Sequence, residues 1–430
     1  MTTSTALLTD RYELTMLAAA LRDGTASRPS VFELFSRRLS GGRRFGVVAG
    51  TGRLLTLLRE FRFGDDELRF LRDNDVVDAE SLTYLENYRF TGSIRGYREG
   101  ELYFPGSPIL TVEGSFADAV VLETLALSVL NHDSAVATAA SRMSIAAGER
   151  PLAEMGSRRA AEQSAVAAAR AAYIAGFRAT SNLEAGRRWG IPTMGTAAHS
   201  WTLLHETEEE AFRSQIDSLG TDTTLLVDTY DIRTGVETAI RVAGTGLGGV
   251  RIDSGDLPIV AAEVRAQLDE LGATGTRITV TSDLDEYAIA ALAASPVDAY
   301  GVGTSVVTGS GYPTASMVYK LVARQDPSGA WIGVAKASTD KASHGGRKAA
   351  FRTLVDGVAE AETVVVSDGF EELDTPAEHA DGRALQTTFV EGGEIDTAFE
   401  GAEGTASARA HHLRVREEPV SYTHLRAHET

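Results

Sequence analysis

Ile191-Pro192-Thr193-Met194-Gly195-Thr196-Ala197-Ala198-His199-Ser200-Trp201 joins a short apolar run, expected as a strand over 191–194, to a histidine flanked by small and hydroxyl residues. The same pattern returns at Arg251-Ile252-Asp253-Ser254-Gly255-Asp256 and at Gly301-Val302-Gly303-Thr304. In each, chemistry-bearing side chains stand where an apolar run stops and a loop or helix begins. Loops at the carboxyl ends of parallel strands converge on one mouth, which is where α/β proteins bind ligands. Three such segments with complementary chemistry predict one shared site.

Working outward, strands are expected over 152–155, 191–194, 224–227, 249–252, 278–280 and 299–302. Amphipathic helices are expected between them over 159–173, 206–218, 236–243, 257–271 and 284–293. Strands alternating with helices imply right-handed crossovers and a parallel sheet. Because chemistry recurs at so many strand ends, residues 121–325 are read as an irregular TIM-like (β/α) barrel rather than an open sheet.

Residues 1–120 read as an α+β module. Asp10 and Glu13 form a capping pair, and Leu14, Leu17, Ala18 and Leu21 share one helical face. A strand over 31–35 precedes a basic glycine loop over 37–44, and short strands over 90–112 are broken by Gly92, Gly96, Gly100 and Pro105-Gly106. An alanine-rich helix is expected over 122–147. Residues 326–419 carry further β-like segments at 331–334 and 362–366 around a polar loop over 336–348. Residues 420–430 show no periodicity and read as a disordered or non-native tail.

Composition narrows the function. Sixty acidic against 41 basic residues give a net charge of −19, which excludes a general nucleic-acid binder. A local arginine cluster can still take an anionic small molecule. The absence of cysteine excludes disulfides, thiolate metal sites and cysteine nucleophiles, and fits the cytoplasm. No run reaches the roughly 20 apolar residues of a membrane helix; the best attempt, 119–130, is interrupted by Glu123. Asp10, Arg11 and Glu13 stand where a signal peptide would need an apolar run. A soluble protein is expected.

His199 can serve as base, metal ligand or phosphoryl acceptor, but no second histidine stands at metal-ligand spacing, since His205 is six residues on. A hydrogen-bonded histidine at a strand end fits equally well. Arg251 and Asp253 are two apart and share a strand face, and Ser254-Gly255-Asp256 caps the next helix. Together they suit a ribose diol, a Mg²⁺–diphosphate or a carboxylate, or else form a structural pair with an ordinary cap. Gly301, Gly303 and Thr304 offer amides and a hydroxyl to a monophosphate. Ser282-Asp283-Leu284-Asp285 brings carboxylates to the same mouth or caps a helix. Arg158 and Arg159, after Gly156-Ser157, suit a carboxylate or phosphate.

These motifs, in order, resemble nicotinate phosphoribosyltransferase. The resemblance begins at Leu7-Leu-Thr-Asp-Arg-Tyr12 and runs through Glu123-Thr-Leu, Gly156-Ser-Arg-Arg and Ala179-Thr-Ser-Asn. It continues in Gly195-Thr-Ala-Ala-His199-Ser, Val227-Asp-Thr-Tyr-Asp231, Arg251-Ile-Asp-Ser-Gly-Asp256, Gly301-Val-Gly-Thr304 and Val318-Tyr-Lys-Leu. It implies an irregular TIM-like barrel, an α+β domain built from both chain ends in which residues 326–419 pack on residues 1–120, and a homodimer with sites at the interface, joining nicotinate to phosphoribosyl diphosphate with ATP and Mg²⁺. By resemblance His199 is transiently phosphorylated. Tyr12, Thr196 and Arg251 contact nicotinate, Tyr12 from across the dimer, while Thr304 binds the sugar phosphate and Arg158 is an anion contact. Asp253 and Asp256 would hold Mg²⁺ through the diphosphate. The alternatives are a nicotinamide-preferring phosphoribosyltransferase and a non-catalytic phosphosugar-binding barrel. An aldolase-type barrel lacks a clear lysine at an early strand end.

Overall fold

Apolar β-branched runs separated by amphipathic helices form, in the computed structural model, six parallel strands. The structure describes residues 4–336, 344–367 and 382–418. Across the sheet the order is Ala179–Thr180, Leu152–Glu154, Ala299–Val302, Arg277–Val280, Gly249–Ile252 and Thr224–Leu226, with every neighbour parallel. Val250, Ile252, Ile278, Val280 and Val302 are all fully buried. Near-continuous burial along a strand is what a parallel sheet flanked by helices requires. Those helices include Glu162–Ile174, Ile232–Ala243, Leu257–Glu270 and Glu286–Ala291.

The strand expected over 191–194 shrinks to one bridge, Thr193 to Thr180. Thr180 donates to the Pro192 carbonyl and Met194 donates back to Thr180. Proline has no amide hydrogen, so the ladder goes no further there. Ala179–Thr180, too short to show a period, is a strand instead. Among the described residues no ladder joins this edge to Thr224–Leu226, so the hydrogen-bonded sheet is open rather than a closed barrel. The helix expected over 159–173 begins at Glu162, because Ser157–Arg159 forms a separate 3-10 turn.

The chain divides into two compact units, one running up to Thr138 and resuming at Tyr312, the other Ala139–Gly311. The boundaries expected at 120 and 325 therefore move to 138 and 311. The strand Met317–Gln325 explains the second shift. It pairs antiparallel with Pro29–Ser36 in a seven-stranded sheet of the first unit. Tyr319 stacks on Phe32 with ring centroids 5.0 Å apart, and its hydroxyl donates to the Ala119 carbonyl. In the same unit, Glu13 does not close a capping box. It is fully buried and accepts the Thr124 amide at 2.9 Å, capping the long helix Glu123–Ala147. The loop expected over 336–348 lies partly, and the tail over 420–430 wholly, outside the described residues.

Behind the strand ends of the second unit, Arg142 and Glu286 form a buried ion pair at 3.0 Å, with side chains 5% and 4% exposed. Ser310 donates to the other Glu286 oxygen at 2.6 Å. Removing one partner of such a pair strands the other charge in low dielectric. Arg142→Met is expected to lower unfolding free energy by about 3–5 kcal/mol, read from urea denaturation.

Candidate active site

Parallel strands place all their carboxyl ends on one side, and there the second unit holds a cavity of about 280 Å³. Its cations are Arg158, Arg159 and Arg251; its carboxylates are Asp253 and Asp283; its floor is Gly301, Gly303 and Thr304. Thr281, Ser282 and Met155 complete the lining.

Arg251 projects from the strand Gly249–Ile252. Its Nη1 donates to Thr196 Oγ1 at 2.6 Å, while its Nε is buried without an acceptor. Burial holds its pKa below the ordinary arginine value; the charges of Asp253 and Asp228 oppose that shift and Arg158 adds to it. A desolvated guanidinium with an unspent donor, beside two further arginines, is an anion receptor. The floor must be glycine. A Cβ on Gly301 would stand 2.6 Å from Thr281 Cγ2 and 2.7 Å from Met155 Sδ. Gly303 then hands the chain to the one-turn helix Thr304–Val307.

One buried carboxylate ties the mouth together. Asp228, its side chain 1% exposed, follows the strand Thr224–Leu226 by two residues. Its Oδ2 accepts the Asp253 amide at 2.8 Å and the Ser254 hydroxyl at 2.7 Å. Its Oδ1 makes no hydrogen bond and lies 3.9 Å from His199 Nε2. The other ring nitrogen, Nδ1, shares a 3.1 Å hydrogen bond with the Thr229 hydroxyl. Asp253 in turn accepts from Thr281 Oγ1 at 2.6 Å.

The structure thus unites Thr196, Arg158, Arg251, Asp253, Gly301, Gly303 and Thr304, with His199 joined through Asp228 and Thr229. His199 opens the helix His199–Leu204 instead of ending a strand, and its side chain is 41% exposed. Asp256 occupies the cap position of Leu257–Glu270 without a side-chain cap bond, is exposed, and is not among the residues lining the cavity. The turn at Ser254-Gly255, with Gly255 at φ +88°, carries it out to solvent. Tyr12 lies in the first unit, on the helix Arg11–Asp23, 46% exposed. Burial, then the charges of Glu123 and Glu13, push its hydroxyl up to about 12. Asp228, Thr229 and Thr281 were not singled out from sequence as site residues, although Asp228 directly follows an apolar run and obeys the same strand-end rule.

Among the described residues no cluster of three or more histidine or carboxylate side chains stands ready for a metal. Mg²⁺ needs no such cage, since one or two carboxylates plus substrate phosphates complete its shell. Asp253 and Asp283 beside an arginine-lined anion cavity fit that donor set, and Asp256 does not.

An open parallel sheet whose mouth gathers three arginines, two carboxylates and a glycine–threonine turn defines an α/β protein with a polar cavity at its strand ends. Residues 7–131 match the N-terminal domain of nicotinate phosphoribosyltransferase. A nicotinate phosphoribosyltransferase of Mycobacterium tuberculosis is 61% identical over 354 residues, covering 80% of this chain and 78% of the relative. The chain belongs to the nicotinate phosphoribosyltransferase family. A Bacillus subtilis nicotinate phosphoribosyltransferase is 38% identical over 362 residues, covering 82% of this chain and 74% of the relative. The solved human nicotinic acid phosphoribosyltransferase superposes with a TM-score of 0.79 at 26% identity, covering 96% of this chain and 95% of that one.

Arg251→Met should remove a charged hydrogen-bond partner worth about 1.5–3 kcal/mol. Calorimetry with nicotinate is expected to show a Kd raised on the order of tenfold or more; unchanged affinity would put the carboxylate elsewhere.

Proposed function

We propose that this chain transfers the phosphoribosyl group of phosphoribosyl diphosphate to nicotinate in NAD salvage, coupled to ATP hydrolysis. The nicotinate ring nitrogen attacks the anomeric carbon. The carbon–oxygen bond to diphosphate breaks, and its electron pair leaves with diphosphate. The single observation that carries the reading is half-buried Arg251, its Nε buried and unspent, beside Arg158, Arg159 and the Gly301–Thr304 turn.

Arg251, oriented by Thr196, grips the nicotinate carboxylate, and the Gly301, Gly303 and Thr304 turn takes the sugar phosphate. Arg158 and Arg159 offset charge on the departing diphosphate. Mg²⁺ bound with that diphosphate would add Lewis-acid charge neutralisation, held by Asp253 and Asp283. The ring nitrogen needs positioning more than activation, so fixing both substrates supplies much of the rate.

His199 accepts the ATP phosphoryl group and releases it to water. Its Nε2 faces the unpaired Oδ1 of Asp228 at 3.9 Å. Asp228 also holds the turn that carries Asp253 into the cavity, which links the histidine to the cavity wall. By the same reading the open sheet is the hydrogen-bonded part of an irregular barrel. The chain works in the cytoplasm as a homodimer, with Tyr12 reaching the neighbouring site. No described helix is long and apolar enough to cross a membrane.

Incubation with nicotinate, phosphoribosyl diphosphate and Mg²⁺ should yield nicotinate mononucleotide and diphosphate one for one, with more product when ATP is added. Nicotinamide should be a poor substitute, and no product from either base would end the proposal. His199→Ala should fold and form some mononucleotide, but ATP should no longer stimulate it. ATP stimulation equal to the parent enzyme's would remove the histidine from the coupling step.

A further inference from the structure

Five described residues other than glycine have positive φ, and four of them lie between 49° and 57°, inside the small left-handed well open to ordinary side chains. Ser282 is the exception at φ 121°. That region is accessible almost only to glycine, because a Cβ there crowds the flanking carbonyl. It is also the one of the five that lines the anion cavity.

A strained residue persists only where its surroundings over-determine it. On one side of Ser282, the Thr281 amide donates to the Ile252 carbonyl at 2.9 Å and its hydroxyl holds Asp253 at 2.6 Å. On the other, Leu284 is 2% exposed in the core, and its amide closes a tight turn onto the Ser282 carbonyl at 2.9 Å. Asp285 caps the next helix through the Tyr287 and Ala288 amides at 3.0 and 2.8 Å. Glu286 is then locked to Arg142. Both ends being fixed, two residues close the gap, Ser282 in the strained conformation and Asp283 lining the cavity.

We propose that Ser282 is a positioning residue whose strained backbone aims the Asp283 carboxylate at phosphoribosyl diphosphate. The proposal rests on the transferase reading for its substrate, but not for its strain. Serine keeps the turn in one conformation, whereas glycine would relax it. A β-branched side chain cannot occupy φ 121° and must swing Asp283 away.

The test uses the full chain with Ser282→Gly, Ser282→Val, Asp283→Ala and the double variant Ser282→Val/Asp283→Ala. Ser282→Gly should raise the thermal midpoint by about 2 °C or more. Its KM for phosphoribosyl diphosphate should fall between the parent's and that of Ser282→Val. Ser282→Val should lower the midpoint and raise that KM on the order of tenfold, leaving KM for nicotinate within about twofold. Its KM should equal that of Asp283→Ala, and combining the two should add no further loss. A parental KM in Ser282→Val, multiplying losses in the double variant, or a lowered midpoint in Ser282→Gly would each overturn the proposal. If Ser282→Val fails to fold, the sign of the Ser282→Gly midpoint shift decides. A parent chain without transferase activity would sink the functional reading alone, because the order of midpoints reports the strain independently.

Discussion

A single buried carboxylate, that of Asp228, is the constraint on which the mouth of the parallel sheet depends. Oδ2 takes two hydrogen bonds from the Asp253–Ser254 turn, and so fixes where the strand carrying Arg251 gives way to loop. Oδ1 is left unsatisfied opposite His199. An ionised oxygen buried without a donor is costly, on the order of 1–3 kcal/mol or more. Folding tolerates it because the other oxygen is anchored and the histidine stands within reach.

The chain as a whole is strongly acidic, with a net charge of −19, yet its cavity concentrates arginines. The global field repels anions at long range, but salt screens it beyond about 8–10 Å. Within the cavity low dielectric and fixed geometry dominate. The depressed pKa of Arg251, driven by burial, is the signature of this local regime. A cavity suited to anions then needs no basic surface. It needs a few guanidinium groups kept short of internal acceptors.

Sequence reasoning reached the parallel half of the fold because burial on both faces leaves continuous apolar runs such as Gly249–Ile252 and Ala299–Val302. It reached most of the site because carboxyl-end loops are where polar residues gather. It failed where one residue changes hydrogen bonding, as at Pro192, which ends a ladder that the apolar run predicts. It failed at Met317–Gln325, since a strand's own alternation does not name its partner, and here the partner is almost 300 residues upstream. Spacing alone does not show that Asp253 and Asp256, three apart, face different ways once Gly255 turns the chain. The backbone at Ser282 is invisible to any pattern of side-chain types, because it arises from two distant anchors competing for the same short turn.

Two clusters of buried charge, one in each unit, differ in whether opposite charges meet directly. In the first, Arg352 meets Glu101 and Glu362 at 2.6 Å each, and Arg383 meets Glu101 and Glu418 at 2.6 and 2.8 Å. His411 adds a third contact to Glu101, whose carboxyl is held well below the ordinary range against burial by His411 and the two arginines. Charge there is mutually neutralised, and such networks resist change because every member is held by several others. In the second unit Arg251 spends one nitrogen on a neutral hydroxyl and leaves another empty, and Asp228 leaves one oxygen empty. Incomplete pairing of this kind is unfavourable until a ligand supplies the missing partner. Binding energy then comes from satisfying groups already desolvated, so a substrate carrying the right charges gains the bond without paying again to bury its receptor.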